Sequence, residues 1–193
     1  VKLDIENKRL FAYLPFIDDP SEKLKPNRFI ADRILESQVK AVNKNPDMMA
    51  DTLKSMKKLS DKGHVIPVHM LTDRERQLMN EVPGVGYIIP WRTVFKSNSL
   101  STPCRVVFDA GSKTPGGESL NNLLAKGQNK LIKILEVLLR FRKRKAAVTG
   151  DVSMAYNGVC LAPDHFKYQQ FLWKDELNPS SQTTVWIIRT LIY

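Results

Sequence analysis

Asp151 lies where an apolar run gives way to a lone acid, in AAVTGDVSMAYNGVCLAPDHFKYQQFLW, and an aromatic ring, Tyr156, follows soon after. AAVTGDVS reads as a strand that ends in this carboxylate. A carboxylate at a strand end has a fixed backbone behind it and can hold a divalent cation without moving. One carboxylate is rarely enough, and the other acids have different contexts. Asp164 after Pro163 reads as a helix or turn cap, and Asp175 with Glu176 as a hairpin tip. Asp151 could equally be a surface or capping residue, and Tyr156 plain core. A second candidate is Arg105 in CRVVFDA, where Arg105 and Val107 share one face and Val106 and Phe108 the other. Such a mixed face suits a sheet edge or a cleft, and fits function and solvent exposure equally. Asp109 can pair with Arg105 or cap the next loop. The three histidines, His64, His69 and His165, have no ligand spacing. Cys104 and Cys160 sit in apolar surroundings and read as reduced thiols.

The composition sets the frame for that chemistry. The chain has 193 residues, 42% of them hydrophobic and 26% charged, as expected of a folded chain rather than a disordered tail. Lys and Arg number 30 against 20 Asp and Glu, a net charge of +10. That excess favours a polyanion, nucleic acid or an acidic membrane surface, with a merely solvated basic surface as the alternative. No run approaches the roughly 18 apolar residues of a membrane span. The mixed charge of Val1, Lys2, Leu3 and Asp4 is unlike a signal peptide, and a first residue other than Met suggests a fragment or processed product.

The elements that must position these residues follow in order. Residues 1–20 read as a strand-like opening, LFAYLPFIDDP. A helix is predicted over 27–43, with Ile30, Ile34, Leu35 and Val42 on one side. Asn45 and Pro46 break it and start a second helix, which carries Met49, Leu53, Met56 and Ser60 and ends at Gly63. The hairpin's outer face is basic: Lys54, Lys57, Lys58 and Lys62. HVIPV is a short strand, TDRERQLMNE a helix capped by Thr72 or Asp73, and PGVG a turn. YIIPWRTVFK (87–96) and CRVVFDA (104–110) form a β-hairpin with a mobile tip between them. The strongest helix is predicted over 128–145, with Leu131, Ile134, Leu135, Leu138 and Leu139 as its stripe. Its RFRKRK end can serve as a nucleic-acid stripe, a nuclear-targeting-like run or solvated charge opposing the helix dipole. KYQQFLWK and TVWIIRTLIY make a second hairpin.

In this arrangement the segments YIIPWRTVFKSNSLSTPCRVVFDAGSKTPGGESLNNLLAKG and VTGDVSMAYNGVCLAPDHFKYQQFLWK resemble the reverse transcriptase of long-terminal-repeat retrotransposons, nearest the Bel/Pao type. RVVFDAGSKT, ILEVLLRFRKRKAAVTGDV and KYQQFLWK carry the likeness, and NKRLFAYLPF and KKLSDKGHVIPV extend it over nearly the whole chain. The resemblance implies an α+β fold: right-hand polymerase fingers with a partial palm, a helical hairpin on the N-terminal side and β-hairpins. Residues 1–70 would be the opening strand and helical hairpin, 71–145 the fingers and 146–193 the start of the palm, in one truncated domain. It implies an RNA-directed DNA polymerase, adding deoxynucleotides to a primer on an RNA or DNA template with two Mg²⁺ ions. Asp151 matches the first catalytic carboxylate and Val152 the backbone carbonyl that completes a metal shell. Tyr156 matches the aromatic gate against a 2′ hydroxyl. Arg105 matches the arginine that reaches the incoming triphosphate, and Lys96 the lysine on the opposite arm. Deoxynucleoside triphosphates, primer–template and the rest of a polyprotein (protease, ribonuclease H, integrase) are the implied partners, with no membrane. The implied setting is intracellular, in a cytoplasmic virus-like particle or the nucleus.

The chain also departs from the family pattern. Tyr156, Asn157 and Gly158 stand where the family usually has Phe with Arg and Gln behind it. The aromatic-x-Asp-Asp turn would fall beyond Tyr193. The chain as given lacks that second carboxylate motif and is expected to be inactive alone. Two other functions compete: a non-catalytic basic nucleic-acid-binding remnant of a retroelement, and a protein–protein scaffold built on the helical hairpin.

Overall fold

A computed structural model describes residues 2–4, 9–95, 104–143 and 145–192. In chain order the elements are β1 (Lys2–Asp4), β2 (Arg9–Ala12), α1 (Pro20–Lys23), α2 (Arg28–Val42), α3 (Pro46–Asp61), β3 (Val65–Pro67), α4 (Asp73–Met79), β4 (Trp91–Phe95), β5 (Cys104–Phe108), α5 (Ile134–Arg142), β6 (Val159–Leu161), β7 (Gln170–Lys174) and β8 (Thr183–Ile188). The fold is mixed α+β with three small sheets. One has the order β1-β2-β6, with β2 and β6 parallel; one is the antiparallel β3-β8-β7; the third is the β4-β5 hairpin.

The helix ends follow local chemistry. Asn45 Oδ1 accepts from the backbone N–H groups of Asp47 (2.9 Å) and Met48 (3.3 Å), and Pro46 opens α3. Gly63, at φ +70°, turns the chain out of the helix towards β3. Thr72 and Glu75 form a reciprocal capping box on α4. The buried stripe of α2 is Ala31, Leu35, Val39 and Val42, while Ile30 and Ile34 are only half-buried. The inward face is thus rotated from the predicted one, with small Ala31 set into the contact. In α3 the buried positions are Thr52 and Met56, with Met49 and Leu53 half-buried. Thr52 is tolerated inside because its hydroxyl donates to the Met48 carbonyl at 2.7 Å.

One hydrophobic cluster joins segments far apart in sequence: Leu35 and Val39 of α2, Ile88, Trp91, Phe171 and Ile187 all belong to it. Trp91 packs at a tilt against Trp173, and Phe108 against Phe171, both at 4.9 Å between ring centroids. The Trp91 indole N–H donates to the buried Leu172 carbonyl at 2.8 Å. Both predicted hairpins form. The hairpin tip, residues 96–103, lies outside the described residues.

Two predicted elements are corrected. The helix expected over 128–145 is confined to Ile134–Arg142. Asn129 Oδ1 accepts from the Leu131 N–H at 3.0 Å, a local turn that competes with helical backbone bonding. The α5 stripe is solvated, with Leu135 65% and Leu139 63% exposed. The strand expected over AAVTGDVS is absent, and residues 145–153 are exposed and irregular. Residues 146–153 pair with no strand among the described residues, and the parallel ladder beside β2 is formed by β6. Asp151 therefore follows an irregular segment and has no strand behind it.

Candidate functional site

The helix α3 and the outer edge of β5 are held together by two polar contacts. The Val106 N–H, which points away from β4, donates to Ser55 Oγ at 3.4 Å. Thr52 Oγ1 lies 3.8 Å from Cys104 Sγ. Ser55, Lys58 and Leu59 share one helical face at spacings of three and four residues. Together with Arg105 they form one wall of an open cleft of about 600 Å³; the other wall is Asp151, Ser153, Met154 and Asn157. This second wall is a turn pinned from behind. Asn157 Nδ2 donates to Thr190 Oγ1 at 3.1 Å, and Lys62 Nζ donates to Met154 Sδ at 3.3 Å. Met154 sits in the left-handed region at φ +54°, which reverses the chain between Asp151 and the 3₁₀ turn Tyr156–Gly158.

Two of the residues singled out by sequence, Asp151 and Arg105, line the same cleft. Lys58 adds a second cation, so two cations face one carboxylate. Among the described residues, no ion pair engages Asp151. Val152 and Tyr156 are 74% and 63% exposed and do not line the cleft. Lys96 lies outside the described residues. Asp109 caps its own loop, accepting from the Gly111 N–H at 3.2 Å. In the sequence Lys58 reads as part of the basic outer face of α3, and nothing marks Ser55. Their spacing on one face of α3 was the available signal, but nothing local said which strand that face meets.

The oxygen donors of the cleft are the Asp151 carboxylate, the Ser55 and Ser153 hydroxyls and the Asn157 amide oxygen. Mg²⁺ needs near-octahedral oxygen coordination, normally anchored by one or two carboxylates. A single exposed carboxylate opposite two cations suits one loosely held ion. A two-ion centre does not fit these residues, and among the described residues no group of three or more His, Cys, Asp or Glu could hold a metal.

The cleft's thiol, Cys104, is buried, which disfavours its reactive thiolate form. Burial pushes the Cys104 thiol above its ordinary range, Thr52 opposes that by hydrogen bonding, and the nearby Asp51 charge pushes it up further. The neutral thiol therefore persists in the folded chain to higher pH than in the unfolded one. Iodoacetamide in mildly alkaline buffer is expected to label Cys104 slowly in the native chain and fast after unfolding, as read by peptide mass spectrometry. Equal rates in the two states would contradict this packing. No helix among the described residues is long and apolar enough to cross a membrane. Compared with models of known families and with curated proteins, the sequence finds no match.

Proposed function

We propose that the chain is the fingers and first part of the palm of a reverse transcriptase, a segment of an RNA-directed DNA polymerase that works on a primer annealed to an RNA or DNA template. The observation that carries this reading is that Asp151 and Arg105, distant in sequence, line one cleft together with Lys58. On this reading Arg105 and Lys58 receive the triphosphate of an incoming deoxynucleotide. A guanidinium suits that task because it stays charged and offers paired donors to phosphate oxygens. Asp151 supplies one carboxylate of the metal centre. Mg²⁺, when bound, would neutralise phosphate charge there. Tyr156 as the sugar gate and Lys96 as the opposite-arm lysine remain proposals from the family resemblance.

Equilibrium binding of a fluorescent deoxynucleoside triphosphate to the chain tests the reading. Arg105→Ala is expected to weaken binding about ten-fold or more, the usual effect of losing a charge-assisted bond. Arg105 is exposed, so the substitution spares the core. Lys40→Ala, an equal charge change on α2 away from the cleft, serves as the control. Binding that Arg105→Ala leaves no weaker than the control does overturns the nucleotide site.

A second reading, a basic nucleic-acid-binding module without catalysis, is favoured by the single carboxylate between two cations. It predicts duplex binding by the chain with no Arg105-dependent nucleotide site.

A further inference from the structure

A second cavity, of about 340 Å³, shares Asn157 with the cleft but is otherwise separate; its polar lining includes Arg9, Lys62, His64, Glu75 and Arg189. Three permanent cations here face one carboxylate. That carboxylate is already committed: one oxygen of Glu75 accepts from Arg189 Nη2, and the other from the N–H and hydroxyl of Thr72. Among the described residues, Lys62 and Arg9 have no acidic partner. Lys62 Nζ has, among the described residues, the Met154 thioether, a weak acceptor, as its one hydrogen-bond partner, and no ion pair engages either side chain. Asp4 stands opposite Arg9 across the β1–β2 ladder but does not line the cavity.

Arg189 is braced by backbone hydrogen bonds on both sides. The Arg189 N–H donates to the His64 carbonyl at 2.8 Å, and the Arg189 carbonyl accepts from the Leu161 N–H at 2.7 Å. Its guanidinium thus projects from a backbone tied on both sides, with Glu75 holding the head. The volume falls within the range of small-ligand pockets, enough for an oxyanion and part of what carries it. A concave site with two positive charges left over disfavours cations and gives neutral ligands no particular reward. Lys62 also lies one helical turn, about 6 Å along the axis, from Lys58 in the neighbouring cleft.

We propose that this cavity is a phosphate site, in which Arg9, Lys62 and Arg189 together take a phosphate or phosphate-ester group. The site does not depend on the polymerase reading, which stands or falls with Arg105. The phosphate can come free in solution or on a nucleic-acid strand, and the two sources are separable.

His64 provides the internal probe. Burial, then the Lys62 charge, hold its imidazole below the ordinary histidine range, and a bound dianion beside it would raise it again. The His64 ring resonances of the chain are titrated by NMR with inorganic phosphate, at constant ionic strength in chloride. A saturable upward shift of the His64 pKa is expected. Lys62→Gln and Arg9→Gln, both exposed positions, should each weaken phosphate binding about ten-fold, and Lys40→Gln should not. In the second arm, a short single-stranded oligonucleotide is compared with and without a 5′ phosphate. Preference for the phosphorylated strand assigns a terminal phosphate, and equal binding that both variants weaken assigns the backbone. No His64 response beyond that to chloride, or losses in both variants no larger than in Lys40→Gln, overturns the site.

Discussion

Affinity of the chain for a primer–template duplex is expected to fall about a hundred-fold between 50 and 200 mM monovalent salt. The net charge of +10 alone does not set this number, because dispersed charge contributes little to any one contact. The relevant cations are those placed together: Lys58 and Arg105 in the cleft, and Lys62 and Arg9 in the adjoining cavity. Four phosphates neutralised on a duplex release counterions with a log–log slope of about −3.6, and a four-fold rise in salt then costs roughly two decades. Lys58→Gln or Arg105→Gln should each flatten the slope by about one unit. The rival surface is the basic end of α5, where Arg140, Arg142 and Lys143 are exposed. Those charges lie at a helix C-terminus, where they already oppose the helix dipole. If Arg140→Gln with Arg142→Gln flattens the slope and the cleft variants do not, the nucleic acid runs over α5 and the cleft reading fails. A slope near zero removes nucleic acid as a partner altogether.

What could be read from the sequence is what is local. The Asn45–Pro46 start, the cap at Thr72 or Asp73 and the Gly63 exit depend on residues within a turn of each other; all three form, with Thr72 as the cap. The β4–β5 and β7–β8 hairpins need only short connections, and both pair in antiparallel register. The parallel pairing of Leu10 with Val159 gives no local sign. Yet that pairing fills the ladder position beside β2 and leaves AAVTGDVS with no ladder beside β2. The stripe of α5 was legible as helical, but periodicity does not reveal whether anything covers it, and among the described residues Leu131, Ile134 and Leu135 remain exposed.

The same division holds within the site. Asp151 and Arg105 each stand out from their own neighbours, but their place in one cleft depends on how α3, β5 and the 151–157 turn pack. The third charged member, Lys58, could be found only once α3 was docked on β5 through Ser55 and Thr52. The correction to Asp151 also changes its chemistry. Without a strand behind it, its carboxylate owes its position to a turn held by Asn157 and Met154, and a ligand must order what the backbone does not.

Asn27→Leu is expected to destabilise the chain by about 2–6 kcal/mol, because it strands two buried backbone groups at once. Asn27, 2% exposed at the start of α2, acts as a strand partner for Ile88, itself fully buried. Its Oδ1 accepts from the Ile88 N–H and its Nδ2 donates to the Ile88 carbonyl, each at 2.8 Å. Leucine is close in size and apolar, so it fills the space while leaving both Ile88 groups without a partner or water. Ile88 lies in the stretch that leads into β4, and β4 carries the β5 edge on which Arg105 sits. The lost bonds therefore bear on the cleft as well as on the core. Asn43 provides the comparison. Its Nδ2 also bridges distant backbone, donating to the Val39 and Leu177 carbonyls at 2.8 Å, but it is only partly buried and water can replace it. Asn43→Ala should cost well under half as much. Denaturant unfolding of the two variants decides the matter: if Asn27→Leu unfolds at the same midpoint as Asn43→Ala, the paired amide is not what fixes α2 to the strand that follows.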